Sequence, residues 1–432
     1  MSKNFDIVIL GGGFAGLAAA SHCANKGFSV CLIEQEEHLG GLASGFQEPN
    51  WDWSLEHYYH HWFTSDTYVK KYGQMWNAQN GFVTLSPSTV METSSGKFEK
   101  LDSPIALLKY KDISFTSRVR LAFCLVYLKL TTNWKKLEKI TAEEWCLKYM
   151  GTEAYEAIWK PLLLGKFSRK YASEVNMAWL WARLKCRTQQ LMTYEKGFMR
   201  YVYKGEQWLK SNGVAIYKKC SVSQLTLQSD KSWEIKTDQD TFHGSRVIAC
   251  IPSPTLKKLT NGFCFENHSS KSLGAVVIIL SLKKNIGEHY WYSLRKTTES
   301  PFLAAINHTQ FVDSKHFNNE NIVYVADYLD PHSKQFQLSD EEFTKVAMKT
   351  LNKINPDLST SDVKKSWVIK SPYAQPIALI NASEHLPHMS LPELPNLFHG
   401  SLAHVYPWDR GTNFALELGE KVAEKTLQSF HY

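Results

Sequence analysis

The sequence has 432 residues, more than one hydrophobic core usually serves, which predicts two domains. At 44% hydrophobic and 21% charged residues, the composition is that of an ordinary globular protein and excludes a disordered chain. The net charge of +7 is modest, and the Lys and Arg residues are spread rather than blocked apart from a local excess at Leu107 to Leu130, which argues against a nucleic-acid-binding protein.

Membrane spans, export signals and metal-binding thiols are not predicted. The longest apolar runs, LAFCLVYL from Leu121 and AVVIILSL from Ala275, are far shorter than the about 20 residues that cross a bilayer. The start, MSKNFDIVIL, has no secretory signal pattern, so we expect a cytoplasmic protein. No C-x-x-C pair is present, which indicates reduced thiols without disulfides. The eight cysteines are Cys23, Cys31, Cys124, Cys146, Cys186, Cys220, Cys250 and Cys264.

The first predicted elements are a strand, a glycine-rich turn and a helix. FDIVIL, Phe5 to Leu10, is typical of a buried parallel strand, and GGGFAG follows it with Gly11, Gly13 and Gly16 at the G-x-G-x-x-G spacing. Gly11 permits the tight turn, Gly13 lets the main chain approach a pyrophosphate, and Gly16 lets the helix lie close to the strand. A second strand, FSVCLIE, ends at Glu34, which is placed to accept hydrogen bonds from an adenosine ribose. This order predicts a dinucleotide-binding unit.

The segment after Glu34 distinguishes between dinucleotides. EQEEHLGGLASG places Gly40 and Gly41 six and seven residues beyond Glu34. With this pair the sequence resembles the FAD-dependent amine oxidase superfamily, which includes protoporphyrinogen oxidases, phytoene desaturases and UDP-galactopyranose mutases, and it is most similar to bacterial protoporphyrinogen-oxidase-like proteins. Leu42 stands where an arginine is common in that family. The resemblance implies FAD as cofactor. The residues that it implies at the adenosine and pyrophosphate are Gly11, Gly13, Phe14, Ala15, Gly16, Glu34, Gln35, Gly40, Gly41, Leu42 and Ala43.

The stretch EHYYHHWFTSD combines three histidines with a run of aromatic residues. His57 and His61 are four residues apart, so on a helix both would face one metal ion, but no second ligand cluster lies nearby in sequence and we expect no metal. Aromatic core packing is another interpretation. The resemblance implies instead a wall facing the flavin, with His57, Tyr58, His60 and His61 at the cofactor. His57 and His60 are candidate catalytic residues.

Two helix-rich regions follow. Leu107 to Leu130 is an apolar segment flanked by basic residues, which predicts either a helix packed in a domain or a helix on a membrane surface; a peripheral membrane contact is left open. Lys139 to Arg187 is the most helix-rich region, and its segments IWKPLLLGKF and WLWARL resemble the helices that cap the flavin cavity in the family. Lys166, Trp179 and Trp181 are its pocket-lining candidates, with core packing as the alternative.

The next segment returns to patterns of a cofactor domain. Gly197 opens a helix, and Arg246 to Ile251 predicts a buried strand that joins the cofactor sheet. The resemblance implies that Val222 holds the adenine edge through its main chain. The strand from Leu273 to Leu280 contains no lysine, whereas amine oxidases have a lysine near this strand that reaches flavin N5 through water. This difference favours desaturation or another dehydrogenation over amine oxidation.

SPYAQPIAL, Ser371 to Leu379, resembles the segment of protoporphyrinogen oxidases that leads back to the flavin. Its two prolines predict an extended chain. Tyr373 is therefore a candidate catalytic residue, and Gln375 is a candidate for lining the pocket.

The last elements are a strand, Asn396 to His399, and an amphipathic helix, Phe414 to Leu427. In the family the last helix points its N-terminus at flavin N1 and C2=O, where reduction places negative charge. The resemblance therefore implies main-chain contacts from Gly411, Thr412 and Asn413.

The loop before that helix departs from the family pattern. The acid that commonly binds the ribityl chain is absent, and Asp409 or Ser401 would substitute for it. Asp409 and Arg410 would either bind an anionic substrate group or brace the loop through a salt bridge. Arg410 is the last candidate catalytic residue.

Together these features predict an α/β fold, with a Rossmann-type (GR2-like) FAD-binding domain and an inserted mixed α+β substrate domain. We assign residues 1–85, 195–262 and 391–432 to a discontinuous FAD-binding domain, and residues 86–194 and 263–390 to the substrate domain. The predicted function is that of an FAD-dependent oxidoreductase, of the dehydrogenase/desaturase or the oxidase type, that moves a hydride from an unidentified small organic substrate to flavin N5, with oxygen or another molecule as the electron acceptor. The alternatives are a redox-neutral nucleotide-sugar mutase, which the histidine-rich segment favours, and a flavin-binding protein without catalysis.

Overall fold

The structure is a computed structural model that describes residues 3–263, 271–298 and 300–430. The seven cysteines in these ranges are free thiols, and Cys264 lies outside them. The strands of the described residues, β1 to β20 in chain order, are Lys3–Leu10, Val30–Ile33, Gly45–Phe46, Leu55–Glu56, Trp62–Phe63, Phe82–Leu85, Thr89–Glu92, Phe98–Lys100, Leu191–Tyr194, Ala215–Tyr217, Val222–Leu227, Trp233–Thr237, Thr241–Ala249, Ser272–Leu282, Trp291–Ser293, Ala304–Asn307, Asn321–Leu329, Val363–Pro376, Ser390–Leu391 and Leu394–His399.

Thirteen α-helices lie in the same ranges. In chain order, α1 to α13 are Phe14–Asn25, Thr67–Met75, Pro104–Lys109, Phe115–Leu130, Trp134–Leu137, Ala142–Trp145, Thr152–Ala154, Lys160–Tyr171, Met177–Cys186, Phe198–Ser211, Ser253–Leu259, Asp340–Leu351 and Thr412–Gln428. Two π-helical turns, Cys146–Met150 and Tyr155–Trp159, adjoin α6, α7 and α8. Among the residues that the structure describes, none of the helices has both the length and the apolar character that a bilayer crossing requires.

An eight-stranded sheet gathers strands from both ends of the chain. Its parallel part has the order β10-β2-β1-β13-β20, and β12 with β11 extends it along the first half of β13. Ile7 and Ile9 of β1 face the layer of α1 and α13, whereas Val8 and Leu10 face the opposite layer. Because both faces are covered, the strand needs an uninterrupted apolar run, and that is what the sequence shows.

A seven-stranded sheet has the order β18-β14-β17-β16-β15-β7-β8 and is antiparallel except between β15 and β7. Its strand β14 is buried on both faces. Ala275 and Val277 face the core that includes α8 and α9, and Val276 and Ile278 face the core that includes α12. The period of two along β14 therefore separates the side chains that face α8 and α9 from those that face α12.

The predicted fold class is confirmed, and several element boundaries need correction, among them the start of the strand predicted from Asn396, which begins at Leu394. The apolar segment from Leu107 to Leu130 is two helices, because Ser114 caps α4 by accepting a hydrogen bond from the Ser117 N–H. The strand predicted from Arg246 begins at Thr241. The last helix begins two residues before Phe414. The domain boundaries stay a prediction.

Candidate active site

One large cavity contains residues from both large sheets. Its volume is about 1760 Å³, and Leu10 of the eight-stranded sheet and Ala275 of the seven-stranded sheet both line it. Gly11, near one end of the chain, and Gly411, near the other, line it as well. A typical small-molecule site measures about 300–1,000 Å³. The cavity therefore has room for a cofactor together with a second molecule.

The glycine-rich turn brings main chain to the cavity wall. Gly11 has a φ of +94°, and Gly13 is the N-cap of α1. The main chain of Gly41 faces that of Gly13, so that a Cβ on Gly41 would lie 3.1 Å from the Gly13 Cα. Gly16 does not line the cavity, although the resemblance includes it among the cofactor residues. A Cβ there would lie 1.8 Å from the Gly11 carbonyl oxygen, so Gly16 serves the packing of helix on strand.

Glu34 lies at the edge of the same wall, directly after β2. Its Oε2 accepts a 2.6 Å hydrogen bond from the Gly12 N–H, and its Oε1 accepts a 2.9 Å bond from the Glu36 N–H. Burial raises the pKa of Glu34, and the main-chain donors oppose that shift. The Cys220 N–H donates to the Glu34 carbonyl, which brings Val222 to this end of the cavity.

The start of the last helix forms the opposite wall. Thr412 Oγ1 accepts a 2.6 Å hydrogen bond from Trp62 Nε1, and Asn413 Oδ1 accepts main-chain N–H bonds from Tyr68 and Val69 at the start of α2. The oxygen atoms of these two side chains are therefore already hydrogen-bonded within the protein. The start of α13 presents its main chain to the cavity.

The close contact of α1 and α13 explains how the two walls meet. Gly419 has no Cβ, and a Cβ there would lie 2.1 Å from the Ala15 carbonyl oxygen. The sequence reasoning missed Gly419, although a glycine inside an amphipathic helix signals such contact. Both helices begin with a glycine N-cap that has no side chain, and neither has an acidic residue in its first turn.

The described residues fit a dinucleotide with an electron-accepting ring. The first N–H groups of a helix have no partner within the helix, and the helix dipole favours negative charge there. Two such termini at one cavity suit a diphosphate at Gly13 and an electron-rich ring at Gly411. Glu34, with lone pairs left on its carboxylate, suits a hydroxyl donor at the far end.

The histidine-rich segment forms two short strands and the extended chain between them, β4 to β5, not a helix. The spacing argument for a metal ion at His57 and His61 therefore does not apply. Among the described residues, the group with suitably close ligand atoms is His22, Glu420 and Glu424, none of which lines the cavity.

The three histidines line the cavity and are held by short polar contacts. His60 Nδ1 lies 2.5 Å from the Tyr58 carbonyl oxygen, and His61 Nδ1 lies 3.4 Å from the Tyr290 hydroxyl. Burial lowers the pKa of His60 to about 4 and that of His61 to about 3, and it also lowers the pKa of His57. The rings are therefore neutral near pH 7, and the Nδ1 of His60 carries the proton because a carbonyl only accepts.

Asp409 is the centre of a buried polar cluster. Its Oδ2 lies 2.6 Å from Arg183 Nη1 and 3.3 Å from Lys166 Nζ, and its Oδ1 accepts hydrogen bonds from Trp179 and Gln375. Burial opposes ionisation, but the charges of Lys166 and Arg183 outweigh it and lower the pKa of Asp409 to about 2. Asp409 braces the loop, and its carboxylate is engaged by protein groups rather than free for a ribityl chain.

Three pocket predictions need correction, two of them because of this cluster. Trp179 and Gln375 turn towards Asp409, and Trp181 stacks on Trp408 at 5.5 Å, so none of the three lines the cavity. The other residue of the predicted pair, Arg410, does line it. Arg410 does not contact Asp409, but hydrogen-bonds to the Tyr328 hydroxyl and to the Ala374 carbonyl oxygen.

Several cavity residues were missed by sequence reasoning, among them Tyr59, Tyr290, Tyr328, Arg183 and Arg187. Strand β14 contains no lysine, but Lys271 directly precedes it and lines the cavity. A lysine is therefore missing from the strand but not from the cavity, and its absence from β14 does not by itself disfavour amine oxidation.

Most of the predicted site residues do meet at the cavity. Those that line it are Gly11, Gly13, Phe14, Ala15, Glu34, Gln35, Gly40, Gly41, Leu42, Ala43, His57, Tyr58, His60, His61, Lys166, Val222, Tyr373, Ser401, Asp409, Arg410, Gly411, Thr412 and Asn413. Ser401 is engaged by His404, whose Nδ1 lies 3.1 Å from the serine hydroxyl.

Comparison with known proteins identifies the class of protein that this fold and cavity define. The family model described as flavin containing amine oxidoreductase matches residues 14–424, and the chain belongs to that family. The chain is therefore an FAD-dependent oxidoreductase. This membership favours an enzyme over a flavin carrier without catalysis.

Individual relatives are distant. The chain is 29% identical over 161 residues to a probable UDP-galactopyranose mutase from Klebsiella pneumoniae, a match that covers 37% of this chain and 40% of that protein. It is 22% identical over 407 residues to the 15-cis-phytoene desaturase of Glycine max, covering 85% and 69%. A solved structure described as a proposed protoporphyrinogen oxidase from Exiguobacterium sp. 255-15 has a TM-score of 0.75 at 15% identity, covering 99% of both chains. At this identity the likeness shows the fold alone.

Proposed function

We propose that this protein is an FAD-dependent dehydrogenase or desaturase that takes a hydride from an apolar organic substrate. The observation that carries the proposal is a single cavity in which two uncapped helix N-termini lead into an apolar chamber. The chamber walls include Leu107, Leu121, Leu125, Leu162 and Leu303. FAD, when bound, supplies a ring that accepts a hydride.

In this proposal the residues of the chain bind and orient the two molecules. The residues proposed to contact the cofactor are those predicted from the sequence, except Gly16. Asp409 contributes indirectly, because it braces the loop before α13. The predicted boundaries between cofactor and substrate domains are retained. The main chain at Gly411 and Thr412 stabilises negative charge at its end of the cavity. The leucines exclude water from the reacting carbon, which suits hydride transfer.

The candidate catalytic side chains have different proposed roles. His60, neutral and with its Nδ1 proton held by the Tyr58 carbonyl oxygen, leaves Nε2 as an acceptor in the cavity. His57 and Tyr373 shape the wall. Arg410, whose pKa burial lowers to about 10, stays charged and orients a polar end of the substrate.

An anaerobic reduction experiment tests the proposal. The purified yellow protein is mixed without oxygen with polyamines, porphyrinogens, isoprenoids and nucleotide sugars in turn, and the flavin absorbance is followed. We expect apolar compounds to bleach the flavin and polyamines to leave it oxidised. Bleaching by polyamines alone would reject the proposal, since Lys271 would then serve amine oxidation.

A redox-neutral mutase acting on a nucleotide sugar is a second candidate. It is favoured by three arginines that line the cavity, Arg183, Arg187 and Arg410, because guanidinium groups pair with diphosphates. The local likeness to the Klebsiella pneumoniae protein favours the same candidate. Isomerisation of a nucleotide sugar that requires dithionite-reduced protein but consumes no reductant would select it. In that case Arg187→Ala should weaken substrate binding and leave the flavin content unchanged.

A further inference from the structure

Helices α3 and α4 carry an exposed apolar surface. Ile105 of α3 is 67% exposed, and Phe123 and Leu130 of α4 are 73% and 76% exposed. Phe123, Tyr127 and Leu130 are spaced by four and three residues, so they form one row along the helix. Contiguous exposed apolar residues mark an interaction surface, whereas isolated ones are ordinary. We call this surface, made of Ile105, Leu108, Phe123, Val126, Tyr127 and Leu130, the α3–α4 patch.

The same segment holds most of the net charge of the protein. Residues 104–136 contain seven basic side chains and one acidic side chain, Asp112, a net charge of +6 against +7 for the whole chain. Lys109, Lys111, Lys135 and Lys136 are exposed. A concentrated positive charge beside apolar side chains is complementary to an anionic lipid surface.

The cavity opens within the α3–α4 patch. Leu108, Val126 and Leu130 are exposed and also line the cavity, so they form a mouth of the cavity, which we call the mouth. Leu121 and Leu125 of α4 continue the apolar wall inwards. A molecule that leaves through this mouth therefore passes the apolar side chains of the patch.

We propose that the α3–α4 patch docks on an anionic bilayer and that a lipid-dissolved substrate passes from the bilayer through the mouth into the cavity. A second copy of this chain is a poorer occupant, because self-association would bring two segments of charge +6 together and close the mouth. The docking stands on the patch and its charge; only the nature of the substrate rests on the proposed function.

Vesicle flotation tests the docking with the flavin-loaded full chain. Vesicles of phosphatidylcholine are compared with vesicles that also contain phosphatidylglycerol. The test variant is Ile105→Glu with Phe123→Glu, two exposed residues that do not line the cavity. The matched control is Tyr203→Glu with Leu227→Glu, which are 47% and 37% exposed outside the patch.

We expect the wild type and the control to float with the anionic vesicles, and the test variant to lose at least about tenfold in apparent affinity. Added salt should weaken wild-type binding, because it screens the basic side chains. Flavin content and melting temperature are measured on every variant, so that a failure of the cofactor site is distinguished from a failure of docking.

Three outcomes would overturn the proposal. Equal binding of the wild type to both kinds of vesicle, or to neither, would remove the role of charge. An equal loss of binding in the control and test variants would remove the role of the patch. A stable dimer on size-exclusion chromatography that Ile105→Glu with Phe123→Glu dissociates would make the patch a protein interface.

Discussion

The two ends of the cavity are built from different materials. At the cofactor end the wall is main chain, made by Gly11, Gly13 and Gly41 and by the beginnings of α1 and α13. At the substrate end the wall is side chains, and the polar cluster around Asp409 collects partners from three distant segments. The difference teaches that a site made of main chain is disrupted by adding a methyl group, whereas a site made of side chains is disrupted by removing a charge.

The largest effect is expected at Gly16. Gly16→Ala places a Cβ 1.8 Å from the Gly11 carbonyl oxygen, so that helix and strand must separate. We expect a loss of more than about 3 kcal/mol in the free energy of unfolding and little folded flavoprotein. Thermal melting measures the loss of stability, and the flavin absorbance of the purified protein measures the amount of folded flavoprotein.

Gly13→Ala is the comparison variant for that experiment. Its Cβ would meet Gly41 Cα at an ordinary 3.7 Å, so the stability of the flavin-free protein should hardly change while FAD affinity falls. If the two alanine variants lose stability equally, the distinction between helix packing and cofactor approach is wrong.

At the substrate end, Asp409→Asn should destabilise the protein by about 3 kcal/mol. The change leaves Arg183 and the buried Lys166 without the carboxylate that compensates them. Chemical denaturation of the flavin-loaded protein measures the effect. Glu156→Gln removes one partner of an exposed pair with Lys160 and serves as control, with an expected change of about 0.5 kcal/mol or less. If Asp409→Asn and Glu156→Gln change the free energy of unfolding by similar amounts, the Asp409 cluster does not stabilise the protein as proposed.

A smaller effect is expected for Glu34→Gln. The amide can accept at one position only, so either the Gly12 N–H or the Glu36 N–H loses its acceptor. We expect FAD affinity to fall by about tenfold, equivalent to about 1.4 kcal/mol. Titration of the flavin-free protein with FAD, followed by flavin fluorescence, gives the affinity, and an unchanged value would exclude Glu34 from the adenosine end.

The smallest effect concerns pH. Burial lowers the pKa of folded His61 to about 3, while the unfolded ring keeps its ordinary value of about 6.5. Below pH 6.5 the unfolded chain therefore binds a proton that the folded chain does not, and stability falls as the pH drops. Between pH 6 and pH 4.5 the free energy of unfolding should fall less steeply with decreasing pH in His61→Phe than in the wild type, by about 1 kcal/mol per pH unit. Denaturation at each pH measures this slope. If the wild type and His61→Phe have the same slope, His61 is open to solvent.

The part of the cofactor end around α1 was predictable because its determinants are local. Gly13 and Glu34 lie within one strand-turn-helix-strand unit, and the spacing alone places them together. The break before α4 was not predicted, because the apolar periodicity continues across the Ser114 cap.

The substrate end was only partly predictable. Asp409 and Lys166 were both named as candidates, but they are 243 residues apart in sequence, and no local pattern says that they meet. For the same reason Gln375 was placed at the cavity when it faces Asp409 instead. Contacts of this kind depend on how β18, α8 and the loop before α13 pack together, which only the tertiary structure determines.

Helix α13 has a consequence for biogenesis. Every other helix and strand of the described chain precedes it, yet its first turn forms one wall of the flavin cavity and its Gly419 contacts α1. A nascent polypeptide can therefore shape the Gly13 turn early, but it cannot enclose a cofactor until translation has passed the last turn of α13. Flavin loading is thus a late event, which completes maturation instead of guiding its first steps.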